Sequence, residues 1–180
     1  ISVGQKMFIE SRTFAAYLLR QDKRFAEALP FVDEALSQKP DDPTLLSYKL
    51  SLEREADLLP AAVATANKLL AIEPDKSQHH FLLGTLLEES SDRAGAISAM
   101  KKAIELDPKN ANALNYLGYS LAEDGKSLED AERLIKRALE IEPNNGYFID
   151  SLGWTYYKMG RYREAQKQLE KAVELAPNDA

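Results

Sequence analysis

The chain has 180 residues, 44% of them hydrophobic and 29% charged, with a formal net charge of −6 and no cysteine. These proportions belong to a folded chain rather than a disordered one, and the acidic balance removes the basic footprint of a nucleic-acid binder. Without thiols there are no disulfides, thiolate metal sites or cysteine nucleophiles, and no apolar run reaches the roughly 18 residues that direct membrane insertion needs.

Residues 1–8 fit no repeat and are read as a backward extension of the first helix. From there on a period governs the sequence. Pro40, Pro74, Pro108, Pro143 and Pro177 are spaced 34, 34, 35 and 34 residues apart. Ala28, Ala62, Ala96, Ala131 and Ala165 keep the same step, as do Gly84, Gly118 and Gly153. Five units follow: 9–42, 43–76, 77–110, 111–145 and 146–179. The extra residue of the fourth falls in GKSLEDA, 125–131. The array is taken as part of a longer chain.

Each unit carries two apolar stripes at three- and four-residue spacing, hence two amphipathic helices. In the first unit, Arg12 stands at a normally apolar position. Pro30 lies in the second helix, where it is tolerable only within the first turn, whose N–H groups are unpaired anyway. In the second unit Lys49 and Leu50 replace an apolar and a small residue. Ala66 is small where the other units have Val32, Met100, Ile135 and Leu169. A large–small exchange is expected, with Leu50 filling the volume that Ala66 leaves. In the third unit His79 and His80 are adjacent and cannot face one site, and His80, on the packing stripe, reads as a core or boundary histidine.

Asp42, Asn110 and Asn145 stand where they can cap the helices that follow. In the fifth unit Ile149, Leu152, Gly153 and Tyr156 form the first stripe, and Ala165, Leu169, Ala172 and Val173 the second. Gly160 between them fits a left-handed stop, and Pro177 ends the second helix.

The fifth unit, GYFIDSLGWTYYKMGRYREAQKQLEKAVELAPND, resembles the tetratricopeptide repeat family at Leu152, Gly153, Tyr156, Ala165, Leu169, Ala172 and Pro177. The fourth does so at Leu114, Leu117, Gly118, Leu121, Ala131, Ile135, Ala138 and Pro143. The resemblance implies an all-α fold, a right-handed α-solenoid of helix–turn–helix repeats whose first helices line a concave groove. It also implies a non-enzymatic scaffold or adaptor that binds a protein or peptide segment and takes no cofactor. The segments LNYLGYSLAE and IDSLGWTYYKMGR look like repeats of bacterial outer-membrane lipoprotein adaptors. Two bacterial locations, periplasmic and outer-membrane-associated or cytoplasmic, therefore stay open. Two alternative readings stand beside the adaptor. One is the regulatory array of a larger enzyme, such as a glycosyltransferase. The other is a self-assembly module using the last helix, with Leu169, Val173 and Leu175 left uncovered.

The helical wheel locates the candidate groove independently. Several positions of each first helix point about 150° away from the packing stripe and should be charged if merely solvated. Instead they hold Phe14 and Tyr17, Tyr48, Phe81, Asn112, Asn115, Tyr116 and Tyr119, then Tyr147, Asp150, Ser151, Trp154 and Tyr157. Nine of the fifteen aromatic residues fall there. Tyr and Trp bring large contact area with a polar tip, as binding surfaces require. The binding set is Tyr17, Phe81, Asn112, Asn115, Tyr119, Tyr147, Asp150, Trp154 and Tyr157, centred on the last two units. The Asn115 amide and Asp150 carboxylate would hold an extended backbone, and Tyr119 and Trp154 its side chains.

Relatives that clamp a C-terminal carboxylate need lysine where this chain has Thr13, Ser47, Phe81, Asn115 and Asp150, so that mode is not expected. Glu88, Glu89 and Glu123 make the rim acidic and favour a neutral or basic ligand. No phosphate loop, zinc-binding helix or nucleophile elbow occurs.

Overall fold

A computed structural model describes residues 2–125 and 127–175, so Pro177 and its expected role lie outside the described residues. Among the described residues there are ten α-helices and no strand. They are α1 (Val3–Gln21), α2 (Phe25–Gln38), α3 (Pro43–Glu55), α4 (Leu59–Ile72), α5 (Ser77–Glu89), α6 (Arg93–Leu106), α7 (Ala111–Glu123), α8 (Leu128–Ile141), α9 (Gly146–Lys158) and α10 (Tyr162–Leu175). The all-α solenoid class is the one the sequence implies.

Two compact units divide the chain, Ile1–Ala96 and Ile97–Ala180. In the first, α1 packs on α2 and α3 on α4, and the hairpins stack through α2 on α3 and α4 on α5. In the second, α7 packs on α8 and α9 on α10, and stacking runs through α8 on α9 and α7 on α9. A hairpin buries only part of its apolar surface alone, so each covers its neighbour's remaining face.

Local sequence explains where helices start and stop. Asp42 accepts the amides of Thr44 (3.0 Å) and Leu45 (3.2 Å), and Pro43 fills the first helical position of α3. Asn110 caps α7 through the Ala113 amide at 3.0 Å, and Asn145 caps α9 through Tyr147 and Phe148. Each cap satisfies N–H groups that the helix itself leaves open.

Among the described residues four hairpin turns close with one hydrogen-bond pattern, an amide reaching back to a carbonyl in the last helical turn. The bonds are Arg24 N to Leu19 O, Leu58 N to Glu53 O, Asp92 N to Leu87 O and Arg161 N to Tyr156 O, all between 2.7 and 2.9 Å. The pattern requires a left-handed residue just before the donor. Gly160 supplies it at φ +74°, as the sequence indicates, but Lys23 (57°), Asp57 (58°) and Ser91 (63°) supply it elsewhere. A side chain in that region is strained by roughly 1–2 kcal/mol. We therefore expect Ser91→Gly to raise the melting temperature and Gly160→Ala to lower it, both measured by circular dichroism.

The two irregular units are accommodated by charge and by exposure. Arg12 pairs with Glu34 at 2.8 Å, and its guanidinium lies 5.0 Å from the Phe8 ring and 5.9 Å from the Phe31 ring. Lys49 pairs with Asp33 at 2.6 Å and with the buried Glu53 at 3.7 Å. Pro30 corrects the sequence reading, because it lies in the second turn of α2 rather than the first. Its ring removes a bond to the Ala26 carbonyl, but both residues are exposed and water can take that role.

Glu53 was not singled out from sequence. It is 3% exposed, and burial pushes its carboxyl above the usual range, opposed by Thr65 and Lys49. Folding thus favours the protonated form. That stability is fully present below the ordinary glutamate pKa and is lost as pH rises through the elevated one. Urea titrations across this window should show the loss in the native chain and a flatter profile in Glu53→Gln.

Candidate functional site

The second unit gathers most of the candidate groove onto α7 and α9. Their packing sides are fixed by small residues. A Cβ on Gly118 would lie 2.6 Å from Ile135 Cγ1, and one on Gly153 would lie 2.8 Å from Leu169 Cγ. Both contacts are with the partner helix of the same hairpin, so the opposite side of α7 and α9 carries the outward residues. Asn112, Tyr119, Tyr147, Asp150 and Tyr157 are exposed there, and Asn115 and Trp154 are half-buried.

Trp154 and Tyr157 stack with ring centroids 5.3 Å apart, and Tyr157 meets Tyr162 at 5.7 Å. The Lys158 ammonium lies 5.0 Å from the Trp154 ring centroid. The Trp154 indole N–H donates to Glu123 Oε1 at the end of α7. This bond orients the indole and ties the two first helices together. Glu123 is therefore a partner of Trp154, not a free rim charge. Asn115 Oδ1 is shielded from solvent and accepts no hydrogen bond. Such an acceptor costs about 1–3 kcal/mol while it stays unpaired.

A polar network ties together α8, α9 and the turn that leads into α10. Glu132 receives the Tyr156 hydroxyl at 3.2 Å and Arg161 at 3.0 Å, and pairs with Lys136 at 2.5 Å. Burial works to raise the Glu132 carboxyl, but Lys136, Tyr156 and Arg161 outweigh it and hold it below the usual range. Burial likewise pushes the Tyr156 phenol up. The Arg161 guanidinium covers the Tyr156 ring at 4.3 Å.

Several sequence assignments change. Ser151 is buried, with its hydroxyl donating to the Tyr147 carbonyl at 2.9 Å, so it does not face the groove. Tyr48 and Tyr116 are half-buried, and Tyr48 packs against the core of the first unit. Leu169 is half-buried under Gly153 rather than bare. Tyr17 and Phe81 belong to the first unit, where Tyr17 is exposed and stacks with Phe14 at 6.3 Å, and Phe81 is half-buried. Tyr162, which completes the aromatic cluster, was missed because it opens a second helix. The signal was its place just across the Gly160 turn from Tyr157.

The histidines take structural partners, His79 Nε2 at 2.8 Å from Glu73 and His80 Nε2 at 2.8 Å from the Pro74 carbonyl. Among the described residues no group of three or more His, Cys, Asp or Glu is placed to hold a metal ion. No described helix is long and apolar enough to cross a membrane.

Residues 62–180 match the family model of the cytochrome c-type biogenesis protein H TPR domain. The chain belongs to that family. The match opens in α4, after the irregular positions Arg12, Pro30, Lys49 and Leu50. As a tetratricopeptide-repeat chain it is a protein-interaction scaffold. No curated protein matches the sequence.

Three of the solved structures that share the fold illustrate it. MamA is 20% identical with a TM-score of 0.77, covering 96% of both chains. YrrB, described as a TPR protein with an unusual peptide-binding site, is 23% identical with a TM-score of 0.70, over 93% of this chain and 86% of its own. TTC0263, a thermophilic TPR protein in Thermus thermophilus, is 25% identical with a TM-score of 0.68, over 95% of this chain and 93% of its own.

Proposed function

We propose that this chain is a non-catalytic adaptor that holds an extended peptide segment of a protein partner across the outward face of α7 and α9. The observation that carries the reading is the presence on one unit of an unsatisfied shielded acceptor, Asn115 Oδ1, and an aromatic wall of half-buried Trp154 with exposed Tyr157 and Tyr162. A peptide N–H satisfies the amide once the Asn115 side chain turns out to meet it, and ligand side chains desolvate against the rings. Asp150, exposed on the same face, suits a neutral or basic segment better than an acidic one. The peptide-binding site of YrrB supports the reading by likeness of fold.

Peptides selected by display on the native chain provide the test. The double variant Tyr119→Ala with Trp154→Ala should keep its helicity and lose at least tenfold in affinity, about 1.4 kcal/mol. Asn115→Ala should also weaken binding, because it removes the acceptor. Normal binding by the double variant, with loss on changing exposed α8 or α10 residues, would move the site to the second helices.

A further inference from the structure

On α9, Asp150, Trp154 and Lys158 follow one another at four-residue steps, so they stand on successive turns of one face, about 6 Å apart along the axis. The Lys158 ammonium lies over the Trp154 ring, 5.0 Å from its centroid. In the three preceding repeats the same register position holds Glu55, Glu89 and Glu123, so the charge is reversed at Lys158. Glu55 and Glu89 are each held by an arginine of the first helix before them, Arg20 and Arg54. Among the described residues Lys158 has no carboxylate partner, and the exposed Asp150 has no cation. What Lys158 has instead is the ring.

The indole is prepared for a positive charge. Its N–H donates to the Glu123 carboxylate, and an N–H held by an anion leaves the ring richer in electrons. Such a ring attracts a cation over its face more strongly, and tryptophan is the best of the aromatic side chains at this. Lys158 fills the place from within the chain, on a flexible four-carbon stem that can swing away into water. A cation arriving from outside meets two attractions where Lys158 meets one. It finds the ring and, one turn earlier, the open carboxylate of Asp150.

Resting on the groove reading above, we infer that the bound segment presents a lysine or arginine side chain to Asp150 and Trp154, and that Lys158 is the stand-in which this side chain displaces. The incoming head group lies over the indole within reach of the carboxylate. A neutral side chain of the same length keeps the apolar contact and gains neither attraction.

An array of acetylated and amidated nonapeptides, with each amino acid fixed in turn at the centre, is the probe. Lysine and arginine should be the residues enriched on the native chain. The best such peptide should bind about five- to thirtyfold more tightly than its neutral analogue, with norleucine for lysine or citrulline for arginine. Asp150→Asn should narrow that gap by about threefold. Lys158→Met should raise affinity for the basic peptide by about threefold and leave the neutral analogue unchanged. Lys167→Ala, which removes an equal charge from an exposed position on α10, should change neither. An array without preference for lysine or arginine overturns the inference, as does a Lys158→Met chain that treats both peptides alike. Peptides that need Tyr119 and Trp154 but no basic residue remove this inference and leave the groove reading standing. Capture of nothing, or capture that survives Tyr119→Ala with Trp154→Ala, removes both.

Discussion

Leu50→Ala should destabilise the first unit by about 2–5 kcal/mol, the range for removing a fully buried leucine. Leu50 and Ala66 are each 1% exposed and share one core. In the fifth repeat the same two positions hold Gly153 and Leu169, with the bulk on the other helix. A Cβ on Gly153 would already lie 2.8 Å from Leu169 Cγ, so the space between these positions admits one large side chain. Ala66→Leu alone should overpack the core by about 1–3 kcal/mol. Combined with Leu50→Ala it should recover part of the loss, because the total volume is restored. Urea unfolding of the four proteins measures the coupling. Full stability in Leu50→Ala would show that the two positions do not exchange volume.

Gly118→Leu should cost about 1–3 kcal/mol by overpacking. A single added Cβ would lie 2.6 Å from Ile135 Cγ1 and 3.0 Å from the Ala131 carbonyl oxygen. Ile135 can turn, but the Ala131 carbonyl belongs to the α8 backbone, so the two helices must separate. Ala165→Leu should behave alike, since Ala165 is buried where α10 meets α9. Lys167→Ala, exposed on α10, should change stability by less than about 0.5 kcal/mol. Equal shifts in melting temperature for all three would mean that the small positions do not control the packing.

The hairpin plan was legible because close approach of helices admits few residues. Gly118, Gly153, Ala131 and Ala165 recur where a larger side chain has no room, and the caps Asp42, Asn110 and Asn145 announce helix starts. The left-handed turns at Lys23 and Ser91 were not legible, because lysine and serine carry no mark of a positive φ, and Asp57 carries only the weak preference of aspartate. Pro30 misled because the rule for proline concerns an isolated helix. Exposure of the freed carbonyl relaxes that rule.

For the groove, the wheel assigns an angle on one helix and knows nothing of the helix beside it. Asn112, Tyr119, Asp150 and Tyr157 lie outward as their angle requires, whereas Ser151, at a flank angle, is buried. The Trp154–Glu123 bond and the place of Tyr162 depend on neighbouring elements, which no single-helix pattern records.

Trp154 is the only tryptophan in the chain. It is half-buried, stacked on Tyr157 and beneath the Lys158 ammonium. The protein thus carries its own optical probe on the face proposed to bind. Whatever covers the indole strips water from it and moves its emission to shorter wavelength. Peptide capture is therefore readable in one cuvette without any label.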